Sequence, residues 1–351
     1  FEGKRVLVTG GTGSLGKELV SRMLGGSDGL PEKVIVFSRD EAKQHQMRLE
    51  WKQQAYATDE VIYRDLSDVL EFQIGDVRDI ESLRVALRGV DIVINAAALK
   101  QVPTCEYFPM DAVRTNVEGA QNLVNAVLHS SKRVESVLCI STDKACKPVN
   151  VMGMTKAIQE RIFIKSNLLC PQTRFICVRY GNVLASRGSV IPLFHYQIRR
   201  GGPVTITTPE MTRFMMNLED AVETVAAALR EALPGETFVP KKRSARVIDI
   251  ADALIGNRKI EKKITGVRPG EKTHEVLVSE EERFRTVDRG DFLAIQPVLP
   301  ELRRVEIGEP VLDGEYTSSQ NLMTLEEVKE YLASAKLMVD DAHLETEEPF
   351  R

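Results

Sequence analysis

Short apolar runs alternate along this chain with stretches of helical periodicity, and this alternation constrains the fold more than any other feature. Six runs rich in Val and Ile are predicted to be strands, at 5–8, 33–37, 71–74, 91–94, 137–140 and 175–178. Between them, apolar residues recur with helical spacing at 15–23, 80–87, 112–128 and 152–164. Strands that are apolar on both faces are typical of parallel sheets covered by helices. The pattern therefore predicts an α/β fold with a doubly wound parallel sheet.

The alternation loosens after about residue 185, which indicates a second, smaller domain. At about 150 residues per domain, the 351 residues of the chain suggest about two domains. We predict a Rossmann domain over residues 1–185, to which part of 214–250 returns. A smaller C-terminal α/β domain over 186–336 would bind the substrate, with helices predicted at 219–231, 246–255 and 325–334. Residues 337–351 are predicted to be a frayed acidic tail.

Composition excludes several classes of protein. With 47 basic and 51 acidic side chains the net charge is −4, and 43% of the residues are hydrophobic, as in ordinary folded proteins. The slightly acidic balance argues against a general nucleic-acid binder. No apolar run approaches the ~20 residues that a membrane helix requires. A strand begins at once, so we expect no signal peptide, no membrane insertion and a cytoplasmic location.

The cysteines and histidines indicate no metal site. The five cysteines are odd in number and form no C-x-x-C pair, so reduced thiols are expected instead of a disulfide framework or a zinc site. The five histidines show no ligand spacing, and none is assigned to a metal or to catalysis.

A glycine-rich loop lies directly between the first strand and the first helix. Gly10 allows a tight turn, Gly13 lets the backbone approach a pyrophosphate, and Gly16 packs the helix on the sheet. The helix N-terminus adds N–H donors and a partial positive charge for the phosphates. We therefore predict a dinucleotide cofactor, held by Gly10, Thr12, Gly13, Ser14, Leu15 and Gly16.

The end of the second strand favours NADP over NAD. An NAD site usually places an acidic residue there for the ribose 2′-hydroxyl, but this chain has Ser38 and Arg39, with Lys43 close behind. A guanidinium offers forked, permanently charged donors that suit a 2′-phosphate. The alternative is that Arg39 stacks on the adenine while Asp40 binds the ribose.

Two further strand ends are candidates for contact with ligands. Asp76 and Val77 follow the third strand and are placed to meet the adenine; a solvated helix cap is the alternative for Asp76. The fourth strand continues into small residues that leave room for a ligand against the backbone, Ala96, Ala97 and Ala98. Lys100 follows them directly.

Three polar residues follow the fifth strand and are the candidates for chemistry. In open α/β sheets, ligands bind beyond the carboxyl ends of the strands, so Thr142, Asp143 and Lys144 are expected at the site. A hydroxyl, a carboxyl and an ammonium in sequence could orient a substrate hydroxyl, donate one proton and remove another. The alternative is a helix-capping Asp beside a surface Lys.

Eight sequence blocks, in the right order, carry a resemblance to a known family. They lie at residues 9–16, 38–41, 97–103, 115–117, 141–145, 179–183, 211–215 and 268–272. The chain resembles the extended short-chain dehydrogenase/reductase superfamily. Within it, the chain is similar to the nucleotide-sugar 4,6-dehydratases that act on UDP-N-acetylglucosamine, the polysaccharide-biosynthesis group, in their short soluble form. The resemblance implies a UDP-sugar bound by the second domain and a homo-oligomer, from dimer to hexamer.

The resemblance also assigns roles to individual residues. Thr142 would hydrogen-bond the sugar O4, Asp143 would protonate the departing C6 hydroxyl, and Lys144 would take the C5 proton. Lys156 would hold the nicotinamide ribose. The other substrate contacts would come from Lys100, Asn182, Arg213, Arg268 and Glu271.

One position departs from the superfamily pattern. The Tyr-x-x-x-Lys motif places a tyrosine four residues before the lysine, but this chain has Met152 before Lys156. A thioether cannot donate a proton as a phenol does. Asp143, or a water held by Thr142, is left to take the O4 proton. Met at this position resembles the branch of the family whose product retains its configuration at C5.

The sequence leaves three hypotheses. The first is a UDP-N-acetylglucosamine 4,6-dehydratase, a lyase that makes a 4-keto-6-deoxy sugar for surface glycans. The reaction would proceed by C4 oxidation, loss of water across C5–C6 and hydride return to C6. A variant of this enzyme would release the 5,6-ene. The second is a UDP-N-acetylhexosamine 4-epimerase, against which the intact Asp143–Lys144 pair counts. The third is a non-catalytic NADP-binding protein, for which Met152 is the only argument.

Overall fold

The computed structural model describes residues 1–55, 66–184, 189–306 and 308–341. The strands are β1 (Arg5–Thr9), β2 (Lys33–Ser38), β3 (Leu70–Ile74), β4 (Ile92–Asn95), β5 (Ser136–Ile140), β6 (Arg174–Val178), β7 (Val204–Ile206), β8 (Thr212–Phe214), β9 (Thr237–Pro240), β10 (Ser244–Arg246), β11 (Lys262–Ile264), β12 (Val276–Val278), β13 (Thr286–Arg289), β14 (Phe292–Ile295) and β15 (Tyr316–Thr317).

The helices alternate with these strands. They are α1 (Ser14–Gly25), α2 (Glu41–Ala55), α3 (Leu66–Val69), α4 (Ile80–Ala86), α5 (Val102–Tyr107), α6 (Pro109–Ala112), α7 (Gly119–Leu128), α8 (Val151–Leu169), α9 (Val190–Arg199), α10 (Leu218–Glu231), α11 (Val247–Ile255), α12 (Glu280–Arg283) and α13 (Leu325–Ser334). A π-helix covers Val113–Glu118, and 3-10 helices cover Asp143–Ala145 and Pro300–Leu302.

The described strands form one large sheet in the order β13-β14-β9-β6-β5-β4-β1-β2-β3. Strands β1 to β6 and β9 are parallel, while β14 and β13 add to the edge in antiparallel orientation. This arrangement confirms the predicted doubly wound α/β sheet. Three small two-stranded pairs, β7–β11, β8–β10 and β12–β15, lie outside it.

Both faces of the large sheet are buried, as the apolar runs predict. Alternate residues of β1 belong to different apolar clusters: Val6 and Val8 pack with α1 and α10, whereas Leu7 packs with α4 and α7. All three side chains are fully buried. Burying a side chain of this size contributes about 1.5–3 kcal/mol, so helices on both faces stabilise the central strands.

The order of strands reverses between β1 and β4, and the loops that follow these two strands meet. Gly10 has a φ of 66°, and a Cβ at this position would lie 2.8 Å from the backbone N of Ala97. At the last residues of these two strands, the Thr9 hydroxyl donates to Asn95 Oδ1 at 2.7 Å. Such a reversal opens a crevice at the carboxyl ends of the strands, where ligands bind in sheets of this type.

The segment assigned to the smaller domain contributes to two parts of the structure. Helices α9, α11 and α13 share their own apolar cluster, within the segment assigned to that domain. In the structure, β9 pairs with β6 and thus returns to the large sheet. Strand β14 pairs with β9 and β13 pairs with β14, so these two strands also belong to the large sheet. The reason is the apolar run Leu293–Ile295, which is buried beside β9. The boundary expected at residue 185 lies outside the described residues, so the division into domains stays a prediction.

The C-terminal segment continues beyond α13. The backbone oxygen of Leu337 accepts a hydrogen bond from the imidazole Nε2 of His195 at 2.9 Å, and Val339 is buried. The start of the predicted tail therefore packs on α9. Residues 342–351 lie outside the described part of the chain.

A buried ionic cluster joins the large sheet to the C-terminal segment. Arg179, directly after β6, donates to Glu160 on α8 and to Glu282 on α12, with shortest distances of 2.7 Å. Burial would raise the pKa of Glu282, but the Arg179 guanidinium holds it at about 2. Glu160 also accepts a hydrogen bond from Ser141, so this cluster fixes the end of β5.

Candidate active site

The glycine-rich loop leaves open space for a dinucleotide. Gly13 is the N-cap of α1 and gives the helix no side-chain cap; a Cβ on Gly13 would meet only the Gly10 oxygen, at 3.3 Å. A Cβ on Gly16 would lie 2.5 Å from Gly11 Cα, so α1 packs directly on the loop. The N–H groups of the first turn, from Ser14 onward, are thus available to a pyrophosphate. The loop fits the predicted cofactor.

Two cations stand at the end of β2, where the adenosine ribose is expected. Arg39 is exposed, and its guanidinium lies 3.9 Å from the Asp76 carboxylate. Lys43 pairs with Asp40 at 2.8 Å. Ser38 is buried, and its hydroxyl lies 3.0 Å from that of Thr12, so it is already partnered.

A cavity of about 200 Å³ adjoins Arg39. Its lining includes Leu99 and the hydroxyl-bearing Thr115, whose buried Oγ1 has no hydrogen-bond partner among the described residues. Nearby, Asp76 accepts hydrogen bonds from Arg78; burial would raise the pKa of Asp76, but the Arg78 bonds outweigh it and lower the pKa. Val77 is buried, with its side chain against Gly119. These features suit an adenine at this end of the cleft.

The residues after β5 form a tight turn. Thr142 caps the 3-10 helix by accepting from the Lys144 N–H, and its hydroxyl donates to Asp143 Oδ1 at 2.8 Å. Asp143 is fully buried, and its Oδ2 has no hydrogen-bond partner among the described residues. The turn therefore holds the Asp143 carboxylate by one of its two oxygens.

The Lys144 ammonium lies at the centre of a cluster of oxygen atoms. It donates to Asn182 Oδ1 at 2.7 Å and to Asp143 Oδ1 at 3.0 Å, and it lies 3.4 Å from Glu275 Oε1. Burial would lower the pKa of Lys144, but the two carboxylates outweigh it and raise the pKa above its ordinary value of 10.5. In the resting site, Lys144 is an ammonium ion.

Arg213, on β8, reaches the same cluster from the C-terminal segment. Its guanidinium donates to the backbone oxygens of Thr212 and Thr273, at 2.7 and 3.2 Å. Its Nε lies 3.9 Å from Glu275 Oε1. The structure thus brings together the predicted residues Asp143, Lys144, Asn182 and Arg213 with one carboxylate that the sequence analysis did not single out.

The loop 268–272 is docked beside the turn of Thr142, Asp143 and Lys144, which is the candidate catalytic turn. Gly270 accepts from Asn150 Nδ2 at 2.8 Å, and the Lys272 ammonium donates to the Cys146 oxygen at 2.6 Å. Glu271 is half-buried, with one carboxylate oxygen lacking a hydrogen-bond partner among the described residues. Arg268 is exposed. This placement suits contact with the distal part of a nucleotide sugar.

Lys156 and Met152 occupy separate parts of the first turns of α8. The Lys156 ammonium donates to the Ile140 oxygen, at the end of β5, and burial lowers its pKa. Met152 is buried in an apolar cluster with Cys105 and Ala112, so no proton-carrying group stands at its position. Lys100 is exposed and makes no ion pair with the described residues.

Two residues that shape the site were missed by the sequence analysis. Glu275 lies four residues beyond Glu271, directly before the apolar strand β12. This position is the one feature of the sequence that could have indicated Glu275 as a site residue. Gly153 brings α8 against the catalytic turn, because a Cβ there would lie 2.2 Å from the Lys144 oxygen. No periodicity in the sequence marks either contact.

A dinucleotide cleft beside a Thr-Asp-Lys turn with a buried aspartate defines an extended short-chain dehydrogenase/reductase of the kind that modifies nucleotide sugars. More narrowly, the chain belongs to the family described as "Polysaccharide biosynthesis protein", which matches residues 6–297.

Named relatives agree on the family but not on the reaction. The chain is 40% identical over 333 residues to a UDP-N-acetylglucosamine 4,6-dehydratase (inverting) of Campylobacter jejuni, covering 92% of this chain and 94% of the relative. It is 42% identical over 346 residues to a UDP-glucose 4-epimerase of Rickettsia conorii, covering 95% and 96%. The chain is therefore a member of a nucleotide-sugar dehydratase/epimerase family.

Solved structures support the fold. The crystal structure of Pen from Bacillus thuringiensis is similar with a TM-score of 0.85 and 33% identity, covering 96% of this chain and 99% of that one. A dTDP-glucose 4,6-dehydratase of Streptomyces venezuelae, with NAD bound, matches with a TM-score of 0.64 at 21% identity, over 77% and 86%. At that identity the second likeness concerns the fold alone.

The described residues contain neither a membrane-spanning helix nor a cluster of metal-binding side chains. No helix there combines the length and the apolar character needed to cross a membrane. No group of three or more His, Cys, Asp or Glu residues there could hold a metal ion, and all five cysteines are free and buried.

Proposed function

We propose that the protein is an NADP-dependent UDP-N-acetylglucosamine 4,6-dehydratase that forms a UDP-4-keto-6-deoxy-N-acetylhexosamine, with retention at C5, for surface glycans. The observation that carries this proposal is the hydrogen bond between the partly buried Lys144 and the buried Asp143. Elimination of water across C5–C6 needs an acid and a base side by side. A 4-epimerase needs neither group at C5 and C6.

The protons of the pair suffice for the reaction. NADP, held by the glycine-rich loop and Arg39, would supply the hydride chemistry, that is, acceptance of a hydride from C4 and its return to C6. A proton passes from Lys144 to Asp143 along their 3.0 Å hydrogen bond, which gives an amine and a carboxylic acid. Lys144 then takes the C5 proton while Asp143 protonates O6, and water leaves. A water held by Thr142 accepts the proton that O4 releases. Lys144 later returns its proton to C5, and the O4 proton then restores the Lys144–Asp143 pair, so it balances the proton that the leaving water carries away.

Met152 supports retention of configuration. With an apolar thioether in the place of a phenol, Lys144 is the group positioned both to remove the C5 proton and to return it. Removal and return by one group occur on one face of the sugar, so C5 keeps its configuration. The 4-epimerase is the second candidate function, favoured by the names of the Rickettsia relatives.

Proton NMR of the purified protein with UDP-N-acetylglucosamine in D₂O tests the proposal. A new C6 methyl signal with deuterium at C5 is expected, and its couplings report the configuration at C5. Vinyl signals would indicate release of the 5,6-ene. Interconversion of gluco and galacto signals without a methyl group would establish an epimerase. An unchanged spectrum with NADP bound would overturn the proposed substrate.

Arg39 provides a test of the cofactor. We expect Arg39→Ser to weaken NADP binding by about 10- to 100-fold, since a charge-assisted hydrogen bond contributes about 1.5–3 kcal/mol. NAD binding should change by less than about threefold, because NAD has no 2′-phosphate for the guanidinium to contact. Isothermal titration calorimetry with both cofactors measures the two effects.

The control is Arg88→Ser, at an exposed arginine beyond α4. Equal losses of NADP and NAD affinity in Arg39→Ser would contradict a 2′-phosphate contact and favour stacking of Arg39 on the adenine.

A further inference from the structure

Glu275 is a buried carboxylate in contact with the proposed base. Its side chain is 2% exposed, and Oε1 lies 3.4 Å from Lys144 Nζ and 3.9 Å from Arg213 Nε. Its other oxygen, Oε2, is buried without a hydrogen-bond partner among the described residues. A buried carboxylate is costly unless it is paired, so this placement calls for a reason beyond packing.

The backbone holds Glu275 in this position. Its N–H donates to the Ser318 hydroxyl at 2.9 Å, and the Ser318 N–H donates to its carbonyl oxygen at 2.8 Å. The Ser318 hydroxyl lies 2.8 Å from that of Thr212, next to Arg213. The carboxylate is therefore presented to Lys144 by a rigid frame.

Four charged groups face Glu275, from three parts of the chain. Asp143 and Lys144 belong to the catalytic turn, Arg213 to β8, and Lys272 to the docked loop. Burial and the charge of Asp143 raise the pKa of Glu275, and the three cations oppose this rise. Lys144 thus stands between two carboxylates, with only Asp143 placed in its own turn.

We propose that Glu275 is a positioning residue that orients Lys144 and stabilises the ammonium ion that forms as Lys144 takes the C5 proton. This inference rests on the proposed dehydratase function. At the moment of proton removal, Asp143 holds the proton destined for O6 and has no charge to offer. Glu275 is then the anion beside the developing cation. A fixed charge in a water-poor site stabilises such a transition state without reorganisation.

Glu275→Gln tests the proposal, because glutamine keeps the shape and one oxygen acceptor but not the charge. We expect kcat to fall on the order of 30-fold, because a charged group in the site loses its partner, with KM within about twofold. Glu275→Asp should recover part of this loss. Glu280→Gln, at an exposed carboxylate shortly after β12, should match the wild type.

Titration of Lys144 provides a readout that a packing role would not move. In [¹³C]lysine-labelled protein, with Lys144→Arg as the assignment control, NMR follows the Lys144 side chain against pH. The Lys144 pKa should fall in Glu275→Gln, because an anion is removed and the Arg213 charge is no longer paired. The alkaline decline of kcat should move to lower pH with it.

The outcomes separate this inference from the proposed function. An unchanged or higher Lys144 pKa in Glu275→Gln, or an unchanged kcat, would overturn the role of Glu275. The titration needs no turnover, so a wild-type protein that fails to convert UDP-N-acetylglucosamine would refute the dehydratase and still allow Glu275 to be tested. If Glu275→Gln does not fold, Glu275→Asp gives the same two readouts, with a smaller shift in the same direction.

Discussion

Lys144→Met is expected to lower kcat for the 6-deoxy product by at least about 10³-fold, since general base catalysis contributes 10²–10⁴-fold. The variant removes the amine that takes the C5 proton. It also takes from Asp143 the proton that this carboxylate needs in order to protonate O6, because the two groups share one hydrogen bond. One substitution therefore removes both the base and the source of the acid.

The measurement is the rate of C6 methyl formation and of deuterium entry at C5, by NMR in D₂O. Because Lys144→Met leaves Asp143 and Glu275 without their shared cation, Lys144→Arg serves as a second variant. Arginine keeps the positive charge but does not lose its proton in proteins, so it should also be inactive.

Lys147→Met is the matched control, at an exposed lysine three residues further along the same loop. Product formation by Lys144→Met and Lys144→Arg within tenfold of the wild type would show that another group removes the C5 proton. The proposed assignment of base and acid would then be wrong.

Much of the fold could be predicted because its signals are local. The strands β1 to β6 appear in the sequence as apolar runs of four or five residues, and the observed bounds differ from them by one or two residues. The glycine loop and the turn at Thr142 directly follow strands of the parallel sheet. The rule that ligands bind beyond the carboxyl ends of such strands therefore predicts that both lie at the same edge of the sheet, as they do in the structure. Strands β13 and β14 could not be assigned in this way, because an antiparallel hairpin does not reveal which sheet edge it joins.

The candidate site was only partly predictable, because only some of its contacts join residues that are close in sequence. Asp143 and Lys144 are neighbours in sequence, and a 3-10 turn suffices to bring their side chains together. The third oxygen partner of Lys144 comes from Glu275, far along the chain, and is positioned through contacts of Ser318 and Thr212. Such a contact depends on how the C-terminal segment docks, which no local pattern encodes. Thr142 donates to Asp143 in this structure, and its predicted contact with the sugar O4 stays a prediction.

The contact between α8 and the catalytic turn leads to the second large effect, that of Gly153→Ala. A Cβ at Gly153 would lie 2.2 Å from the Lys144 oxygen and 3.0 Å from the Lys144 carbonyl carbon. Both are backbone atoms and cannot rotate away, so the turn and the helix must separate by about 1 Å. A displacement of that size costs about 10²-fold in rate. The overpacked contact lowers the free energy of unfolding by about 1–3 kcal/mol.

Gly153→Ala should therefore lose about 10²-fold or more in kcat and unfold at a lower temperature. Its affinity for NADP should fall by less than kcat does, because the cofactor loop lies on β1 and α1 and only Lys156 would contact the cofactor from α8. Calorimetry and NMR assays measure the three quantities. Gly25→Ala, at an exposed helical glycine with no atom within 4 Å of the added Cβ, should be neutral or more stable. Wild-type kcat in Gly153→Ala would mean that the position of Lys144 does not depend on α8, and that the oxygen atoms around its ammonium position it without the helix.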